Sequence, residues 1–263
     1  MTWQTLTPSD EVESADWIHG RLHPFAQDVG SVVPLGFDAY ARIFHPASVS
    51  GADRPEVEAR WSDVAAGNGK TVHPEMQFHA ISAPGRQPRV YEPRLGVLSD
   101  RQAGALVGLL SKHTATPQAC WLCLWEGYGY LNPGATAPLT AWPTKGSPKR
   151  PPKPPGFGLG RLRFGIPKTT TRGFPDRKRV KLPAREYLLF RGSVADAQGW
   201  EDGPNLWWPD DHAWCVASEI DFPYTYVGGS QELVDAIVED PDIEALAARL
   251  TDGITYASDT VNT

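Results

Sequence analysis

The chain has no apolar run approaching the roughly 18–20 residues that span a bilayer, so no membrane-crossing helix is expected. Its first residues, MTWQTLTPSDEVESADW, are polar and acidic, without a basic stretch leading into an apolar one, and no secretory leader is expected. Cysteine is scarce. Cys120, Cys123 and Cys215 are few and odd in number, which argues against a disulfide framework and points to a reducing cytoplasm. There is no Walker A motif and no G-x-S-x-G elbow. The glycine-rich stretch Gly156-Phe-Gly-Leu-Gly160 lacks the spacing, the preceding strand and the following helix of a dinucleotide loop. No solenoid-type repeat is present. The overall balance of 25 Lys+Arg against 31 Asp+Glu, with a pI near 5.6, excludes a protein that coats nucleic acid with its entire surface.

What is present is enough apolar material for a sizeable core: 41% hydrophobic residues and ten Trp in 263 residues. Charge is unevenly distributed. Between Lys145 and Arg185 there are thirteen basic residues and one acidic residue, Asp176, so a segment of +12 is set into a body of −18. The longer stretch 131–183 also holds eleven of the 25 prolines. Pro148-Lys-Arg-Pro-Pro-Lys-Pro-Pro155 suits polyproline II, and Arg161-Leu-Arg-Phe-Gly-Ile166 alternates like a strand with a basic face. Composition changes at both ends, so 131–183 reads as an insertion within one α+β domain of residues 1–263.

Hydrophobic patterning predicts a mixed, largely antiparallel sheet with a few packing helices. Helices are expected over Ser9–Leu22, over Trp61–Ala66 with Ser62 as cap, and from the Ser99–Gln102 capping box to about Lys112. A further helix should follow Ser230, with Leu233, Val234 and Ile237 inward, and a last one should run from Pro241 to about Leu250. Strands are expected at Val29–Val33, Phe37–Phe44, Cys120–Trp125, Tyr187–Phe190, Ala213–Ile220 and Tyr224–Val227.

Three groups of residues carry candidate chemistry. The first is the basic stretch. Lys149, Arg150, Lys153, Arg161, Arg163, Arg177, Lys178 and Arg179 could track a phosphate backbone, with Phe157, Phe164 and Phe174 to stack on bases. The same charges suit a protein partner with an acidic surface, or the chain's own acidic body. The second is Trp207-Trp208-Pro209-Asp210-Asp211-His212 with Glu219 and Asp221 downstream. As a site, Trp207 and Trp208 would be a platform for a sugar or base, with Asp211 among the polar groups of a nucleotide- or sugar-directed enzyme. As scaffold, the same residues are a turn, a core edge and the polar end of a strand. The third is His73-Pro74-Glu75 with Cys120-Trp-Leu-Cys123. This pair of motifs resembles the zinc-dependent nucleobase deaminases, whose His and two Cys hold zinc beside a proton-moving Glu. Here Pro117 stands three residues before the first Cys, where the family has it adjacent. The C-x-x-C also lies in a run read as a strand, where positions i and i+3 face opposite ways. The cysteines therefore read as small buried hydrophobes, and no catalytic residue, metal ligand or cofactor is assigned.

The stretches Pro204-Asn-Leu-Trp-Trp-Pro-Asp-Asp, Ala213-Trp-Cys-Val-Ala-Ser-Glu-Ile-Asp and Tyr226-Val-Gly-Gly-Ser-Gln-Glu-Leu-Val-Asp-Ala-Ile resemble an uncharacterised family of bacterial proteins. So do Val29–Phe37 and Thr114–Gly127. The resemblance implies a bacterial α+β domain in which the basic stretch is an addition, and it implies no activity. The expectation is a non-catalytic binding protein of immunity, adaptor or regulatory type, contacting an acidic protein or nucleic acid through its basic insertion, with no membrane partner.

Overall fold

A computed structural model describes residues 6–51, 54–83, 89–128, 131, 174 and 176–262. The protein is α+β. Its strands, in chain order, are β1 (Pro8–Ser9), β2 (Ala39–Phe44), β3 (Ala47–Gly51), β4 (Arg54–Ala59), β5 (Arg89–Tyr91), β6 (Cys120–Trp125) and β7 (Val180–Leu182). They continue with β8 (Arg185–Gly192), β9 (Leu206–Pro209), β10 (Cys215–Ala217), β11 (Tyr224–Gly229) and β12 (Ala245–Ala248). The helices are α1 (Asp16–His19), α2 (Trp61–Gly67), α3 (Phe78–Ile81), α4 (Asp100–Leu110) and α5 (Gln231–Glu239). Nine strands form one sheet in the order β1-β8-β6-β9-β10-β11-β2-β12, with β7 also paired to β8; β4, β3 and β5 form a second, small sheet. The described pairings are all antiparallel. Among the described residues no helix is long and apolar enough to cross a membrane.

The central strands are apolar on both faces because both are covered. On β6, Cys120, Leu122 and Leu124 pack on one side with α4 and α5, while Trp121 and Cys123 pack on the other with α1, α2 and α3. β9 alternates in the same way: Trp207 faces the first group, and Leu206 and Trp208 the second. The helices α4 and α5 follow their capping signals. Ser99 accepts from the Gln102 N–H at 3.4 Å, and Ser230 from the Leu233 N–H at 3.2 Å. The Gln102 side chain does not close the expected box; buried, it donates to the Phe44 carbonyl at 2.7 Å and ties α4 to β2.

Several expectations are corrected. Ser9–Leu22 is not one helix: Pro8–Ser9 pairs with Phe190 and Leu189 as β1, a 3-10 turn covers Val12–Ala15, and only Asp16–His19 is α-helical. Val29–Ser31 is a 3-10 turn and not a strand, because the Val29 and Gly30 N–H groups bond to the Asp252 and Leu250 carbonyls of the C-terminal loop. The segment after Pro241 is strand β12 on the sheet edge beside β2, so tertiary pairing overrides the helical preference of Ala245-Leu-Ala-Ala248. Ser62 does not cap α2. The Glu244 carboxylate does, accepting the Trp61 N–H at 2.6 Å and the Ser62 N–H at 2.7 Å.

Candidate functional site

The cluster predicted over residues 210–221 is divided by the sheet. Asp210–His212 follow β9 at one end of the sheet, and Glu219 and Asp221 follow β10 at the other. The second half is an internal ion pair. Arg185, at the start of β8, reaches Glu219 at 2.6 Å through Nη2 and at 3.2 Å and 3.3 Å through Nε, and Asp221 at 3.4 Å. Arg185 and Glu219 are both buried. Burial pushes the Glu219 carboxyl up, against the opposing Arg185 hydrogen bonds. The space beside the pair is about 30 Å³, room for about one water and not for a sugar or base.

The first half borders a cleft. The pairing register sets Arg191 of β8, Trp121 of β6 and Trp208 of β9 in one row across the sheet. The Arg191 guanidinium lies 4.2 Å over the Trp121 ring and grips Asp210 with both terminal nitrogens, Nη1 to Oδ1 at 2.7 Å and Nη2 to Oδ2. That grip holds the Asp210 carboxyl below its ordinary range and raises Arg191 further. His212 is in the left-handed region, φ 55°, with its N–H on the Pro209 carbonyl at 2.9 Å. The turn lays its imidazole on Trp17 of α1, ring centres 4.6 Å apart and planes 20° apart. Burial lowers the His212 pKa, and Arg21 adds to the effect. Glu11, Glu13, Ser14, Trp17, Trp121, Arg191, Asp210 and His212 enclose an open cleft of about 600 Å³.

Three of the sequence candidates are scaffold in this arrangement. Trp207 and Trp208 are 4% and 0% exposed inside β9, so neither can serve as a platform. Asp211 faces its own chain, accepting from the Thr114 hydroxyl at 2.8 Å, the Ala115 N–H at 2.7 Å and the Ala213 N–H at 3.1 Å. Burial would raise its carboxyl, but these bonds outweigh that and lower it.

The C-terminal end of the basic stretch is also committed to the body. Arg177 pairs with Asp10 at 2.9 Å, Lys178 with Glu13 at 3.1 Å, Arg179 with Glu126 at 2.9 Å and Lys181 with Glu186 at 3.7 Å. Arg177, Lys178 and Arg179 are therefore fastenings. Lys149, Arg150, Lys153, Arg161 and Arg163 lie outside the described residues. Both ends of the stretch are anchored apolarly: Leu131 is buried with the α4–α5 core, and Phe174 meets the edge of Phe190 at 6.4 Å.

The deaminase-like motif is dispersed. The His73 ring is bonded to Asp259 at 2.9 Å, Glu75 accepts the Gly253 N–H at 2.7 Å, and Cys120 and Cys123 face opposite sides of the sheet. Among the described residues no three His, Cys, Asp or Glu side chains are grouped to hold a metal ion. Searches against protein-family models, curated proteins and solved structures gave no match.

The residues of the cleft that sequence reasoning missed are Glu11, Glu13, Ser14, Trp17, Trp121 and Arg191. Only the strand register brings Arg191, Trp121 and Asp210 together. Trp17 carries a local sign in retrospect, as a half-buried indole in an acidic N-terminal turn.

Proposed function

We propose that this is a non-catalytic binding protein of the immunity, adaptor or regulatory kind, acting in the cytoplasm. Its basic insertion contacts a partner with an acidic surface, either a protein or a nucleic acid. One observation supports this most strongly. Of the thirteen basic residues between Lys145 and Arg185, Arg177, Lys178, Arg179, Lys181 and Arg185 pair with carboxylates of the body. The other eight fall in a stretch, Gly127 to Pro175, whose sequence contains no Asp or Glu. In the sequence, those eight cations therefore have no acidic neighbour within their own stretch. Such an excess of one sign raises the concentration of polyanions near the chain and speeds their capture.

The test is a deletion of 145–172. It spares Phe174, the Asp10, Glu13 and Glu126 ion pairs, and β7, all of which a longer cut to residue 181 would remove. Full-length protein should bind labelled single- or double-stranded nucleic acid or poly-glutamate at low salt. On duplex, log K should fall with log salt by about 0.9 per phosphate neutralised. The deletion variant should keep its thermal transition and lose binding. Absence of low-salt binding to any of these probes, or equal binding by the deletion variant, overturns the reading.

A further inference from the structure

A groove of about 270 Å³ lies between α3, the loop before α4, the β10–β11 turn and the C-terminal turn, and shares no residue with the cleft. It falls just below the roughly 300–1,000 Å³ of small-molecule sites and has room for one long side chain. Its floor is apolar, with Phe222 and Ile254 buried in it. Its walls are not buried: Tyr256 is 68% exposed and Leu95 is 54% exposed. Rigid backbone holds both outside the core. The Thr255 N–H bonds the Ser258 hydroxyl at 2.8 Å and the Ser258 N–H bonds the Thr255 carbonyl at 3.0 Å, which closes a turn around Tyr256. Leu95 precedes Gly96, whose N–H is fixed on the Phe222 carbonyl at 2.8 Å with φ 72°. Walls set in place before binding cost little to order. The Tyr256 ring lies flat on His79, centres 3.5 Å and planes 6° apart, and at its exposure the other face is open.

The charge at this groove is of one sign. Glu92 is exposed and has no ion pair among the described residues. Asp221 is partly exposed and shares Arg185 with Glu219, two carboxylates to one guanidinium. No Lys or Arg lines the groove. Two cations stand close by but outside the lining. Arg94 gives its guanidinium to the Glu201 carbonyl at 3.1 Å, and Arg42, on the Tyr224 ring at 3.7 Å, is 1% exposed. Burial lowers the His79 pKa, against Asp259 and Glu92, so this ring is neutral at pH 7 and adds no cation. An apolar trough, an open aromatic face and carboxylates at the rim match arginine. Its methylene stem packs on apolar surface, and its guanidinium stacks on a ring and forks onto a carboxylate. Lysine has neither the plane nor the fork. We propose that this groove docks an arginine side chain of a protein partner, with the guanidinium on Tyr256 and Glu92 and the stem against Leu95. The groove selects the charge opposite to that selected by the basic insertion, so it is a second contact that does not rest on the first.

The experiment is an array of random-sequence octapeptides read with the full-length protein. Calorimetry follows with the strongest arginine-bearing peptide and with forms in which lysine or alanine replaces that arginine. The proteins are wild type, Tyr256→Ala, Glu92→Gln and the 145–172 deletion. Neither the Tyr256 nor the Glu92 side chain makes a hydrogen bond among the described residues, so both variants should fold, with melting temperatures as the check. Glu92→Gln keeps the shape of the side chain and carries the test alone if Tyr256→Ala does not fold. Arginine-bearing peptides should be selected. The alanine form should not bind, and the lysine form should bind about tenfold more weakly than the arginine form. Each point variant should weaken binding by roughly tenfold, the value of one well-placed interface contact. The deletion variant should bind the arginine peptide as wild type does, because every residue of the groove remains. The proposal is overturned if no arginine-bearing peptide is selected, or if the lysine form binds as tightly. Undiminished binding by a folded point variant, or loss of binding with the deletion, also overturns it.

Discussion

His45 makes a sharp test of the electrostatics of the fold. It lies just after β2, 0% exposed, with Nδ1 2.8 Å from the Arg94 carbonyl and Nε2 2.9 Å from the Thr225 hydroxyl. A carbonyl only accepts, so Nδ1 carries the proton, and Nε2 accepts from Thr225; the ring is neutral. Burial lowers its pKa from 6.5 to about 4, outweighing the Arg94 carbonyl bond, which acts to raise it. Because the folded value is the lower one, the unfolded chain takes up the proton first. The stabilisation is thus complete above pH 6.5 and is lost as pH falls through 6.5 towards 4. With these two values the loss from this one group is on the order of 1 kcal/mol at pH 5.5 and 2–3 kcal/mol at pH 4.5. The assay is urea unfolding at half-unit steps from pH 7.5 to 4.5 for wild type and His45→Asn, whose amide can still donate towards Arg94. The variant should be less stable at pH 7.5, and its deficit should shrink by about the amounts above on acidification. His79 and His212 are lowered in the same direction and are present in both proteins, so the difference isolates His45. A deficit constant across the range would refute the neutral, desolvated histidine.

Glu244→Ala should cost about 1–2 kcal/mol in urea unfolding, the value of a lost helix cap, since it leaves the Trp61 and Ser62 N–H groups of α2 without their acceptor; Glu244→Gln should recover part of this. The three thiols should resist Ellman's reagent in the native state and all react in guanidinium. Burial pushes Cys120 up to about 12 and raises Cys123 and Cys215 as well, so a rapid native reaction of even one thiol would contradict the packing. Asp259 binds the His73 ring and the Gln77 and Asn262 N–H groups. Burial opposes these bonds and loses to them, so its pKa falls from 3.8 to about 2. That contribution is present above pH 3.8 and lost towards pH 2. Asp259→Asn should therefore destabilise at neutral pH and abolish this low-pH component, as read by thermal unfolding at pH 2 to 5.

Five strands of the nine-stranded sheet were legible, most plainly those buried on both faces. CWLCLW, YLLF and YTYV are continuous apolar runs, and they are β6, the middle of β8 and most of β11. The caps at Ser99 and Ser230 were legible because capping is local chemistry. What failed depends on partners distant in sequence. Ala245–Ala248 has helical propensity and becomes a strand only because β2 offers an edge. Val29–Val33 has the composition of a strand, yet its N–H groups are taken by a loop more than two hundred residues away. Trp207-Trp208 reads from sequence either as a platform for a sugar or base or as a core edge; the pair is core, because β9 lies between β6 and β10 with a layer on each face. The cleft was illegible for the same reason, since register alone sets Arg191 against Trp121 and within reach of Asp210.

The charge pattern gains a boundary from the fold. Sequence alone sets +12 against −18 and leaves open whether the basic stretch folds back on the body or faces outward. The described ion pairs answer for its C-terminal end: Asp10, Glu13, Glu126 and Glu186 take up Arg177, Lys178, Arg179 and Lys181, and Glu219 takes up Arg185. Most of these pairs are partly or fully exposed, where a single pair contributes little to stability. The half-buried Arg179 has a stronger hold, because its guanidinium also bonds the Phe174 carbonyl at 2.9 Å. Electrostatic docking of this end is thus weak pair by pair but fixed in place by Arg179, by Phe174 on Phe190 and by β7 on β8. A stretch anchored apolarly at Leu131 and Phe174 is tethered to the body whatever binds it. Arg179, Phe174 and β7 thus fix the C-terminal end of the stretch at the edge of the sheet formed by β1 and β7, and Leu131 fixes its other end against the α4–α5 core.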